Sequence, residues 1–321
     1  MIETTTLTNQ RVYPLSFTGK GSTYFGIAIV NLLLTVLTLG LYYPWAKARE
    51  MQFLYGATEF DSSRFEFHGT GKEMFKGFIK AILIFTLIYG GLVAGIIYEQ
   101  MVAGLIWFYL GLIFIIPLAI HGSYKYRMSR TSWRGIRFGY RGDRNEFMLL
   151  FFKEMFFTLI SLGIYGAWMA INLRTYVLSN IRFGNASFNY KGSGGEYFLL
   201  NIKGYFFTIF TLGIYMFWWQ KELFAYYIDR LSLQHGEDNI KLKSIATGGD
   251  FFALIIVNLL LLIFTLGIGF PWVVARTMNF IFSKIQVTGD IDTDKLVQSE
   301  GAYTDATGED MSDMLDLGFV I

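Results

Sequence analysis

The chain contains no cysteine, which excludes disulfides and thiolate metal sites. Histidine is almost as scarce: His68, His121 and His235 are the only three, and none has metal-ligand spacing. Charge is thin as well. Asp, Glu, Lys and Arg make up 16% of the 321 residues, where an ordinary soluble domain carries roughly 25%. Residues 1–21 lack the basic start and apolar stretch of a secretory signal, which leaves the first apolar run, 24–39, to act as its own insertion signal. There is no Ser-His-Asp set, phosphate loop or His-Glu-x-x-His motif. The residues therefore point to no enzyme, no cofactor, no metal and no nucleic-acid partner.

Apolar and aromatic residues are abundant instead. Hydrophobic residues reach 53% and aromatics 18%, with 32 Phe and 20 Tyr. The mean hydropathy is +0.41. Apolar runs of about 16 to 25 residues recur, and roughly 20 are needed to cross the hydrocarbon core. All but the second run close on a related phrase: Thr38-Leu39-Gly40-Leu41-Tyr42-Tyr43, Ser161-Leu162-Gly163-Ile164-Tyr165-Gly166, Thr211-Leu212-Gly213-Ile214-Tyr215-Met216 and Thr265-Leu266-Gly267-Ile268-Gly269-Phe270. Trp45, Trp168, Trp218 and Trp272 follow the central Gly by five positions and fit an aromatic belt at the membrane boundary. The Gly suits a left-handed helix stop. Pro44 and Pro271 suit the first turn of a returning helix.

Upstream of each run lies an aromatic-polar alternation ending in Gly, as in Phe65-Glu66-Phe67-His68-Gly69 and Phe188-Asn189-Tyr190-Lys191-Gly192. Period-two alternation signals a strand with one buried face. Phe17 to Phe67 and Tyr140 to Tyr190 are both 50 residues. The expected fold is a polytopic α-helical membrane protein of about five internal repeats, its short β-hairpin connectors forming a small extramembrane sheet or barrel. Unit boundaries fall at residues 1–64, 65–137 (with a long transmembrane hairpin), 138–187, 188–241 and 242–288, followed by an acidic tail, 289–321. Two topologies compete: about ten passes with every connector on one face, or six passes with the second helices lying in the interface. They place the N-terminus on opposite sides.

The segment 38–47, Phe65-Glu66-Phe67-His68-Gly69-Thr70-Gly71, Gly194-Gly195-Glu196-Tyr197-Phe198 and Met314-Leu315-Asp316-Leu317-Gly318 together resemble the YjgN family over nearly the whole chain. The resemblance implies a multi-pass protein of a bacterial inner membrane, assigned to a domain of unknown function. It implies no activity, and no catalytic residue is carried over.

Two clusters bear charge chemistry. Arg127, Arg130, Arg134, Arg137, Arg141 and Arg144 are spaced 3, 4, 3, 4, 3 in a connector that holds few acids. They suit anionic-lipid headgroups or another polyanion, and equally the orienting of a loop in the cytoplasm. The strand signal over 136–142 breaks a single helical stripe and puts Arg137 and Arg141 on one polar face. Arg49, Glu222 and Arg276 occupy one position of the repeat and are candidates for a polar passage, or for helix anchors at the interface. The tail carries nine acids and one Lys before an apolar end. It reads as a lid on the basic connectors, a docking segment for a protein partner, or a solubilising extension. The functional expectation is an inner-membrane scaffold or anionic-lipid-interacting module of unestablished molecular activity. The alternative is a transporter or channel for ions, lipids or small anionic solutes.

Overall fold

The computed structural model describes residues 11–236, 238–289 and 296–298. The elements run β1 (Arg11–Tyr13), β2 (Leu15–Phe17), α1 (Gly21–Leu37), α2 (Tyr43–Gly56), β3 (Thr58–Phe60), β4 (Ser63–Phe67), α3 (Gly71–Ile97), α4 (Met101–Ser129), β5 (Thr131–Trp133), β6 (Ile136–Tyr140), α5 (Arg144–Ile160), α6 (Gly166–Ser179), β7 (Ile181–Phe183), β8 (Ala186–Tyr190), α7 (Gly194–Phe210), α8 (Met216–Ile228), β9 (Leu231–His235), β10 (Asp238–Ser244), α9 (Gly248–Phe264), α10 (Phe270–Ser283) and β11 (Ile285–Gly289).

The strands form one antiparallel sheet in the order β1-β11-β10-β9-β8-β7-β6-β5-β4-β3-β2. Its two edge strands are the halves of one extended stretch broken at Pro14. Tyr13 pairs with Val287 on one side, and Leu15 pairs with Phe60 on the other. Proline gives no N–H to a ladder, so it stands where the chain changes partner. The sheet thereby curls into a nearly closed barrel. Alternation fills it: Phe65, Phe138, Phe188, Leu242 and their neighbours point inward around Trp133, Phe183 and Val287. The indole N–H of buried Trp133 donates to the carbonyls of Phe60 and Ser63. Tight turns close one end of the barrel, and five helical hairpins leave from the other.

The helices form a ring. Within each hairpin the two helices pack together, and between hairpins α2 packs on α3, α4 on α5, α6 on α7, α8 on α9 and α10 on α1. Four of these five joints have the same make-up. Trp45, Trp168, Trp218 and Trp272 lie on Gly71, Gly194, Gly248 and Gly21, the first residues of the neighbouring helices. A Cβ at any of these glycines would come closer than 3.0 Å to the indole. Three of the indoles also meet a Phe one turn on, with centroids 5.0, 5.3 and 5.1 Å apart for Trp45–Phe75, Trp168–Phe198 and Trp272–Phe25. Each such pair contributes about 0.5–1.5 kcal/mol beyond its buried area.

The expected polytopic α-helical membrane protein is corrected here. Among the described residues, only α3 (27 residues) and α4 (29 residues) are long and apolar enough to cross a membrane. The other eight helices have 13 to 17 residues. The physical reason is the Leu-Gly stop, which ends a 17-residue helix after about 25 Å, short of a hydrocarbon core of about 30 Å. The organising element is the eleven-stranded sheet, larger than the small sheet or barrel expected of the connectors.

Replacing Gly194 by Val forces a side chain into the Trp168 joint and is expected to cost about 1–3 kcal/mol. Gly26→Ala adds a Cβ where nothing lies within 4 Å. It is expected to be neutral or to gain up to about 1 kcal/mol. Thermal unfolding of the purified variants in detergent checks both, and a Gly194→Val midpoint equal to the parent's refutes the close approach.

Candidate membrane-facing site

Four hairpins end in the same turn. Leu39, Leu162, Leu212 and Leu266 have φ of 51°, 53°, 51° and 51°, and the glycines that follow have φ of 93°, 92°, 94° and 87°. The left-handed region costs a non-glycine residue roughly 1–2 kcal/mol. An Asn would adopt it more readily and would suit water. Leucine stands there each time, 94%, 94%, 94% and 91% exposed in the isolated chain. An apolar side chain held at a conformational cost, with no protein contact to gain, fits a hydrocarbon environment.

The turn also satisfies its own backbone N–H groups. In the first hairpin the N–H groups of Thr38, Leu39, Gly40, Leu41 and Tyr43 donate to carbonyls of residues 34, 36, 35, 38 and 40. The remaining N–H, from Tyr42, donates to the Thr38 hydroxyl at 2.9 Å, and that hydroxyl donates to the Leu34 carbonyl at 2.7 Å. Residue 44 is proline and has no N–H. The hydroxyls of Ser161, Thr211 and Thr265 accept from the N–H groups of Tyr165, Tyr215 and Gly269, each at 2.8 Å. This is the accounting that lipid demands and water does not.

The long hairpin differs. Where the others turn, α3 reads Tyr89-Gly90-Gly91 and stays helical. It then packs closely on α4: a Cβ at Gly91 would strike the Trp107 indole, and one at Gly95 would strike the backbone of Gly104. Small residues four apart at a helix contact are a membrane-packing device. Its tip is polar, Glu99-Gln100.

Inside each short hairpin polar contacts cross between the helices, among them one near mid-height. Asn31 donates to the Ala46 carbonyl at 3.1 Å, Asn172 to Glu154 at 2.9 Å, Lys203 to Glu222 at 3.2 Å and Asn258 to the Thr277 hydroxyl at 3.1 Å. Of the candidate passage residues, Glu222 is thus engaged by Lys203 and, at 3.4 Å, by the Tyr215 hydroxyl. Arg49 and Arg276 are exposed on α2 and α10. Among the described residues no interaction joins the three. Glu154, only 2% exposed, was not among the sequence candidates. Its signal is a carboxylate inside the apolar run 146–161, which membrane energetics alone make worth singling out.

The six arginines do not share one face. Arg130, beside the end of α4, forms a two-pronged pair with Glu73 at the start of α3, at 3.1 and 3.4 Å. Arg230–Glu196 and Lys284–Asp250 are corresponding clamps at the bases of other hairpins. Arg134, at φ 49° in the β5–β6 turn, reaches Ser63 and Asp61 and covers the Trp133 ring. Arg137 lies in β6 and Arg141 just after it, Arg127 in the last turn of α4, and Arg144 opens α5. At the barrel mouth burial pushes the Tyr190 hydroxyl up to about 12 despite the nearby Arg174. That side chain stays neutral, and Arg174 meets its ring face at 5.3 Å.

Most of the acidic tail lies outside the described residues. Of its described part, Leu296 is buried in the barrel core, the Val297 N–H donates to Asn185, and the Arg137 N–H donates to Gln298 at 2.7 Å.

Barrel, ring and exposed apolar tips define a class of protein with a curled sheet at one end and apolar helical hairpins at the other. The family model described as "Bacterial protein of unknown function (DUF898)" matches residues 12–192 and 219–314, and the chain belongs to that family. Among curated proteins, inner membrane protein YjgN of Salmonella typhimurium is 31% identical over 173 residues, covering 53% of this chain and 42% of that protein. Inner membrane protein YjgN of Escherichia coli K12 is 30% identical over 147 residues, covering 46% and 36%. The matches span less than half the length of these curated relatives. Their names support an inner-membrane location for this chain. No solved structure matches it.

Thr211→Val keeps the shape of the tip but leaves the Tyr215 N–H without an acceptor. It is expected to destabilise by about 1–3 kcal/mol, and Thr211→Ser by much less. Unfolding midpoints in lipid nanodiscs read the difference; equal midpoints for Val and Ser remove the hydroxyl's role.

Proposed function

We propose that the chain is an inner-membrane scaffold that engages anionic lipid at the base of its helical ring and carries no catalysis of its own. In this reading α3 and α4 cross the bilayer and the four shorter hairpins dip into it from the barrel side without emerging. The barrel, with its basic connector, faces the cytoplasm, as the excess of arginine over residues 127–144 favours. The observation that carries the reading is the set of four turns whose N–H groups are all bonded within the turn and whose tips carry exposed leucine. Five copies of one strand, helix, turn, helix, strand unit are the natural description. Matching turn dihedrals, four Trp–Gly joints and three basal ion pairs support it.

A conduit is the second reading. It draws on the buried Glu154, but the polar groups at that level pair inside their own hairpins, and this favours glue over a path. A protein partner for the acidic tail belongs to the scaffold reading.

The absence of cysteine makes topology directly testable. A single Glu99→Cys in whole cells is expected to react with a membrane-impermeant maleimide added outside the inner membrane. A single Leu212→Cys is expected to resist that reagent from either face, in cells and in inverted vesicles. Ready labelling of residue 212 from the far face would refute the dipping hairpins.

A further inference from the structure

The ring has five joints, and one is built differently. Trp45 and Trp168 precede Gly71 and Gly194 by 26 residues. At the α4–α5 joint the residue 26 before Arg144 is Leu118, and Arg144 itself takes the place of the glycine. Pro117, buried in α4, matches the buried Pro44 of α2 and fixes the register of this comparison. Both halves of the Trp–Gly wedge are therefore missing at the same joint.

What stands there is a cavity of about 300 Å³, lined by His121 and Lys125 of α4 and by residues 142–145. That is the small end of the ligand-pocket range. Its floor is fixed: buried His121 donates from Nε2 to the Gly142 carbonyl at 3.0 Å and packs against Tyr140 and Phe147. The acid in the wall is already committed. Asp143 Oδ1 accepts from the N–H groups of Asn145 and Glu146 at 2.8 and 2.9 Å, which turns its charge onto the start of α5. Glu146 accepts from the Tyr176 hydroxyl on the neighbouring helix. Lys125 and Arg144 are the cations of the cavity wall, beside Asp143 as its acid. Lys125 sits one turn before the end of α4, and Arg144 is the first residue of α5. The cavity thus lies where the apolar helices meet the barrel, at headgroup depth if the helices lie in lipid.

We propose that this cavity binds a phosphate group, presented by an anionic phospholipid headgroup or by a free phosphate, between Lys125 and Arg144. The proposal rests on the anionic-lipid reading above and gives it an address. It also separates roles within the basic connector: Arg130 and Arg134 hold the fold, and Arg144 with Lys125 hold the ligand.

The full chain carrying a single Asn145→Cys in nanodiscs provides the reporter, read as the rate of maleimide labelling. Three probes are compared: phosphatidylglycerol nanodiscs, phosphatidylcholine nanodiscs, and phosphatidylcholine nanodiscs with inorganic phosphate added. Protection of about tenfold is expected, the loss of a charged hydrogen-bonding partner being worth that much. Protection by phosphatidylglycerol but not by inorganic phosphate assigns the lipid, and protection by both assigns a free phosphate site. In either case Lys125→Ala with Arg144→Ala must abolish the protection, and Lys125→Arg with Arg144→Lys must retain most of it. Labelling that is insensitive to every probe, or protection that survives the double alanine variant, overturns the proposal. Flotation with phosphatidylglycerol vesicles distinguishes the two levels: selective flotation with an unprotected thiol in the Asn145→Cys chain discards this cavity alone, whereas no preference over phosphatidylcholine discards the lipid reading itself.

Discussion

An indole pressed against a glycine is the contact on which the rest of this molecule depends. No short hairpin here buries enough surface to stand alone, because a 17-residue helix and its 13- or 14-residue return present apolar side chains on every side. Each pair needs a neighbour held at close range. Trp45, Trp168, Trp218 and Trp272 supply the bulk, and the first glycine of the next hairpin supplies the room. Trp272 does this across the ends of the chain, on Gly21, so the last hairpin seats the first. The ring fixes the spacing of the strands below it, and the barrel in turn fixes where each helix starts.

Basal clamps then set the height of the helices. Glu73, Glu196 and Asp250, each in a first turn, answer a cation near the end of the returning helix. Partly exposed pairs of this kind add little stability one by one. Their use is geometric, since they hold the two feet of a hairpin level with the barrel rim. The polar contacts inside each short hairpin and the tip N–H groups bonded within their own turns answer donors from within, as hydrocarbon requires.

Much of this was legible in the residues. The alternation over 136–142 marks a strand, now β6, and so removes the helical stripe that the arginine spacing suggests. The left-handed Gly after each Leu was readable as well, because few other residues take that conformation cheaply. The Leu before it was not, since its positive φ contradicts its own preference and is imposed by the surroundings. The tryptophans were visible as a pattern, but belt position and joint packing leave the same mark in a sequence. Hydropathy marks every apolar run as a candidate span because it reports composition, whereas length leaves only α3 and α4 as candidates among the described residues, the stop cutting the other runs short. The residues leave sheet or barrel open for the connectors, because the choice turns on strands up to 278 residues apart, Arg11 with Gly289. Arg144 was visible as charge and not as a missing glycine, which only the ring reveals.

The seam at Pro14 has a kinetic side. Tyr13 waits for Val287, and Gly21 waits for Trp272, so β1 and α1 leave the ribosome long before the elements they pair with. Closing so long a loop slows folding more than it weakens the product. During synthesis the growing chain is an open arc with one unpaired strand edge and one bare helix flank. Such an arc invites insertion factors to shield it, or the matching edge of another nascent copy to close it wrongly. A protein of this shape is therefore exposed to misassembly in time, while it is being made, far more than in its finished form.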